Sequence, residues 1–88
     1  MPIIEMLKVD LGITSLAYND RLQATINAAK DMITREGAVL RDDSLEDAQL
    51  IVMYAGWLWR RRDTMEGMPR MLRYALNNKI FSEKIRNG

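Results

Sequence analysis

Residues 44–62, SLEDAQLIVMYAGWLWRRR, decide how the rest of this 88-residue chain must fold. Asp43 and Ser44 are both good N-cap residues. Ser44 lies three residues before Asp47, and Asp43 three before Glu46, so either pair makes a capping-box variant. From Ala48 to Trp59 only Gln49 and Gly56 interrupt the apolar run. At about 100° per residue, Leu45, Ala48, Val52, Ala55 and Trp59 form one stripe, flanked by Ile51 and Leu58. Leu50, Met53 and Trp57 form a second stripe on roughly the opposite side. A helix apolar on both sides is either central in a bundle or shared with another subunit. The run of about eleven apolar residues is too short for a bilayer, which needs ~20. Arg60, Arg61 and Arg62 then follow together, so a buried helix runs into a charged end.

Outward from this helix, the composition bounds the class. At this length the chain is one domain, near the small end of what folds alone. The absence of cysteine removes disulfides, a thiol nucleophile and thiolate metal sites. The absence of histidine removes the commonest general base and transition-metal ligand. The start, MPIIEMLKVD, has an acid at Glu5 and no basic segment leading into an apolar one. It does not read as a signal peptide, and the chain is expected to be soluble and intracellular. Net charge is +1 but lopsided: five basic against nine acidic residues in 1–59, and eight basic against three acidic in 60–88. That split of −4 and +5 suits an acidic or nucleic-acid partner for the second part, or complementarity between copies of the same chain.

The flanking segments are also helical in pattern. Ile3, Ile4, Leu7 and Leu11 predict a short first helix over 3–11, with Gly12 as its stop. Residues 12–18 read as a loop. Asn19 or Asp20 caps a second helix to about Glu36, whose seam is Leu22, Ile26, Ala29 and Ile33, with Gly37 as the C′ residue. The connector 37–43 is expected to tuck Val39 and Leu40 under the bundle. The long helix should end near Glu66, at Gly67. Pro69 opens a fourth helix in which Met68, Met71, Leu72, Ala75 and Leu76 share one face. Asn77–Asn78 marks its end. The prediction is an all-α fold: a bundle of about four helices over 1–78 with a C-terminal tail at 79–88.

No catalytic, cofactor-binding or metal-ligating set stands out, and an enzyme is not expected. Asp42, Asp43, Glu46 and Asp47 could be read as a metal or acid–base site, but no paired oxygen-ligand spacing or second cluster accompanies them. The favoured reading is a helix N-terminus, where carboxylates suit the dipole. Arg60, Arg61, Arg62, Arg70 and Arg73 are a candidate basic contact patch, although three consecutive arginines fan apart and cannot serve one flat contact. Their other reading is a solvated helix end. Trp59 is expected in the core. The Leu50–Met53–Trp57 stripe is either more core or a subunit interface. Ile80, Phe81 and Ile85 put three large apolar side chains on an otherwise polar terminus, which fits a docking arm that orders on a partner.

These segments resemble the small head–tail connector, or adaptor, proteins of tailed bacteriophages and prophages. The resemblance rests on LKVDLGI at 7–13, NDRLQATINAAKDMITREG at 19–37, DDSLEDAQLIVMYAGWLWRRRD at 42–63 and GMPRMLRYALNNKIF at 67–81. The family opens with "LK..L.I", follows with two central helices, the second alanine- and aromatic-rich, and continues with "MP" and "LR..L". Where the family has "Y.R" at the helix end, this chain has Trp59 followed by Arg60–Arg62. The resemblance covers nearly the whole chain. It implies a ring of about a dozen copies beneath the portal protein, with genomic DNA passing through the lumen without sequence-specific contact. A tail-side connector or tail protein would dock below, and Ile80, Phe81 and Ile85 would reach the portal or a neighbouring copy. The location implied is the head–tail interface of the virion, assembled in the bacterial cytoplasm, with no cofactor and no membrane. The alternative from another class is a small helical DNA-binding regulator using Arg60–Arg73.

Overall fold

The computed structural model describes residues 2–64 and 67–87, without the side chains of residues 62–64, 86 and 87. Four helices account for the architecture: α1 (Ile3–Leu11), α2 (Asn19–Arg35), α3 (Leu45–Thr64) and α4 (Arg70–Asn87). No strand occurs among the described residues, so the fold is all-α. The overall extents of 44 × 29 × 18 Å leave room for only two helix layers, each about 10 Å thick, through the thinnest direction. α2 has its most extensive contact with α3, α1 packs on both, and α4 leans on α3.

Local signals set most boundaries. Gly12 stops α1 with φ +71°, and the Gly12 and Ile13 amides donate to the carbonyls of Val9 and Lys8. That is the paired bonding of a Schellman cap, in a backbone conformation that glycine adopts without Cβ strain. Gly37, at φ +110°, closes α2 similarly. The Ser44 hydroxyl accepts the Asp47 amide at 3.2 Å, so the N-cap of α3 is Ser44. At α2 the cap differs from expectation. Asn19 is already helical, and its side-chain oxygen instead accepts a bond from the Lys8 ammonium at 2.9 Å. Within the 12–18 loop a short 3-10 turn spans Leu16–Tyr18, with Ser15 as its cap.

The core follows from the apolar pattern. Leu22, Ile26, Ala29 and Ile33 of α2 are fully buried, and every residue from Leu50 to Trp57 except Met53 is buried too. Burying each large aliphatic side chain contributes about 1.5–3 kcal/mol before chain entropy is subtracted. α3 is therefore the central helix, with partners on several sides. In the connector it is Ala38 that is buried; Leu40 is half-buried and Val39 stays exposed. Trp59 is half-buried, its ring edge-on to Tyr18 at 6.1 Å.

The fourth helix departs most from expectation. It does not stop at Asn77–Asn78 but runs on to Asn87, so residues 79–87 are its second half and not a separate tail. Both asparagines are exposed, where they cost the helix little, and no glycine or proline lies between Asn78 and Asn87 to break it. Leu72, Leu76, Lys79 and Glu83 continue one inward line at helical spacing. That line turns Met71 outward, to 75% exposure, instead of onto the buried face. The Pro69 carbonyl accepts the Arg73 amide, which places Pro69 just before the first turn. The expected end of α3 at Glu66 lies outside the described residues.

Candidate functional site

Around the charged end of α3 the candidate arginines Arg60, Arg61 and Arg73 have different partners. Arg61 lies over the Trp57 ring, 4.9 Å from its centroid. The Trp57 indole N–H donates to the Gly67 carbonyl at 3.1 Å, and the ring stands edge-on to Tyr54 at 5.5 Å. Arg73 donates to Glu36 at 2.8 Å and to Asn77 at 3.4 Å, tying α4 to the end of α2. Burial pushes the Tyr54 phenol up; nearby Glu36 adds to this, and Arg73 and Arg61 oppose it. Arg60 turns the other way: its guanidinium and an Asp10 carboxylate oxygen both come within 3.6 Å of the space a Cβ on Gly56 would fill. Arg70 is exposed, and the side chain of Arg62 lies outside the described residues. Arg60 and Arg61 point apart, as neighbours on a helix do, and lie against Asp10 and Trp57 respectively.

The Leu50–Met53–Trp57 stripe is split. Leu50 and Trp57 belong to the chain's own core, and Met53 alone is exposed. Of the three apolar residues near the end of the chain, Ile80 packs half-buried against the core, close to Gly37. Phe81 and Ile85 stay more than half exposed. With Met71 and Tyr74 they make an outer stripe on α4 at positions i, i+3, i+10 and i+14, centred on Asn78.

A second apolar surface lies between α1 and α3. Met6, Val9, Asp10, Gln49, Val52 and Met53 line a groove of about 370 Å³. Val9 is 75% exposed beside it.

One cluster has no counterpart in the sequence reading. Arg41 makes a two-pronged contact with Glu83, at 2.8 and 3.4 Å. Lys79 lies 3.0 Å from Asp47 and 3.1 Å from Glu83. The Arg41 amide donates to Asp47 at 2.8 Å. Asp47 and Glu83 are buried, so these bonds supply what water cannot. Hydrogen bonds from Arg41 and then Lys79 lower the Glu83 carboxyl from the ordinary 4.5 to about 2, against the opposing effect of burial. The same bond raises Arg41. The quartet joins the 37–43 connector, the start of α3 and the second half of α4. It also borders a groove of about 340 Å³ between α3 and α4. The available signal was the Lys79–Glu83 spacing of four on the inner line of α4. Arg41, 42 residues from Glu83, could not be paired with it by pattern.

Among the described residues no group of three or more acidic side chains could hold a metal ion, and no helix is long and apolar enough to cross a membrane. The arrangement is thus that of a small helical domain with a packed interior and, among the described residues, uncovered apolar faces that include these two. Compared with protein-family models, with curated proteins and with solved structures, the chain matches none.

Proposed function

We propose that this chain is a structural adaptor that acts by assembly rather than chemistry, in the manner of a phage head–tail connector. Copies stand side by side in a ring, dock under a portal, pass DNA through the lumen and receive a tail-side protein. The observation that carries this reading is the pair of uncovered apolar faces, the α4 stripe and the α1–α3 groove. An apolar stripe with four large exposed side chains on one helix is better explained by a partner than by solvent. A ring subunit needs two different faces, because each contact joins unlike surfaces of neighbouring copies. Phe81 and Ile85 remain available for docking; Ile80 serves the bundle. The DNA-binding alternative has less support, since Arg61 rests on Trp57 and Arg73 is paired with Glu36.

Native mass spectrometry of the purified chain, alone and mixed with portal rings, tests the reading. The expected result is one discrete multi-copy mass, at the least on the portal. A chain that stays monomeric in both samples overturns it.

A further inference from the structure

The two uncovered faces differ in more than position. Along one edge of the α4 stripe run Arg70, Asn77 and Lys84, seven residues apart and therefore nearly in line. Asp10 lines the α1–α3 groove with the Arg60 guanidinium beside it, and Glu5 and Glu46 line the hollows that adjoin the groove through Val9 and through Gln49 and Met53. Lys8, the basic residue of α1, is turned inward, 6% exposed and bonded to Asn19, which leaves Arg60 as the basic group beside this rim against three carboxylates. A basic-edged apolar ridge and an acidic-rimmed apolar groove thus occur on one molecule.

We propose that the outer stripe of α4 in one copy docks into the α1–α3 groove of a second copy of this chain. The inference rests on the assembly reading above only in taking a second copy as the occupant. From Met71 to Ile85 the ridge runs about 21 Å at 1.5 Å per residue, a helix-in-groove contact read at i, i+3 and later turns. Phe81 and Tyr74 are its large anchors, and Val9 and Met53 form the apolar walls that receive them. Asn78 in the middle of the ridge and Gln49 in the groove give one polar pair, which selects a single register among apolar ones. Two α4 stripes packed antiparallel would instead set one basic edge against the other.

The chain has no cysteine, so introduced thiols report on this contact alone. Val9→Cys and Phe81→Cys are both at exposed positions, and a thermal melt of each checks that the fold is kept. When the two variants are mixed and treated with a short bis-maleimide, cross-linked pairs containing one of each are expected. Phe81→Asp, which brings a negative charge to an acidic-rimmed groove, is expected to weaken association by about tenfold or more, a change of at least 1.4 kcal/mol. Cross-linking of Phe81→Cys to itself, or no cross-link in the mixture, overturns the proposal. The double variant Val9→Cys/Phe81→Cys separates this proposal from the ring. A ladder beyond two copies supports both. A ladder that stops at two supports the docking and counts against the ring.

Discussion

α3 is held by α2 and by α4 in two different ways. Against α2 the contact is carbon on carbon: Leu22, Ile26, Ala29 and Ile33 meet a helix whose facing side chains are buried and apolar. On α4 the fully buried apolar residues are Leu72 and Leu76, with Ala75 and Ile80 half-buried against the core, and Lys79 and Glu83 add a charged contact with Asp47 and Arg41. Apolar contact is non-directional and tolerates small shifts. The charged contact is directional and shared: Glu83 is held by Arg41 and Lys79, and Asp47 by Lys79 and the Arg41 amide, so losing one member weakens the bonds that hold the others. α2 therefore belongs to the stability of the whole, whereas the second half of α4 is held by the charged quartet together with Ile80 and is the part expected to open first.

The largest effect that could break this comparison comes from Ile26→Ala. It should cost about 2–5 kcal/mol and lower the melting temperature by roughly 4–8 °C per kcal/mol, with amide exchange rising through all four helices. Exchange rising in α2 alone would mean that α2 is not part of one cooperative unit.

Glu83→Gln should have a smaller and more local effect, with faster exchange confined to about residues 77–87 at neutral pH. It carries a pH signature as well. The folded Glu83 carboxyl lies at about 2, below its ordinary 4.5. Its contribution is therefore fully present above about pH 4.5 and is lost as pH falls toward 2. Urea midpoints of the native chain should fall across that window, and those of Glu83→Gln should fall less. Equal acid sensitivity of the two proteins would remove Glu83 as the cause.

The smallest effect sharpens the apolar side. Gly56 is helical and buried, and an added Cβ would meet only ordinary contacts, at 3.6 Å from Arg60 and Asp10. Gly56→Ala should stabilise the chain by about 0.5–1 kcal/mol through the lower entropy of its unfolded state. A lower melting temperature would show that the α1–α3 crossing has no slack there.

What the sequence makes legible is what neighbours along the chain decide. Gly12, Gly37 and Ser44 act within a few residues, and the α2 seam repeats at helical spacing, so these readings hold. The extent of α4 was not legible. Asn77 and Asn78 have the chemistry of a helix end, and only the inward line through Lys79 and Glu83 keeps the helix going. Their burial depends on Arg41 and Asp47, brought near by the tertiary fold. The longer helix presents a different average face to the bundle, and Met71 lies off that face. For the candidate surfaces the same limit applies. The divergence of Arg60 and Arg61 follows from helix geometry, but Trp57 as a seat for Arg61 and Glu36 as a partner for Arg73 depend on the fold.

The quartet is electrically neutral: the half-buried Arg41 and Lys79 cancel the buried Asp47 and Glu83. Omitting Arg41 and Asp47 leaves the balance of 1–59 at −4, and omitting Lys79 and Glu83 leaves that of 60–88 at +5. The polarity of the molecule thus resides in groups outside the quartet, many of them on the surface. Dissolved ions screen exposed charges over about 8 Å at physiological ionic strength and reach buried ones much less. Added salt is consequently a selective reagent for this chain: it dims the field one copy presents to another while leaving the fastening of α4 closed.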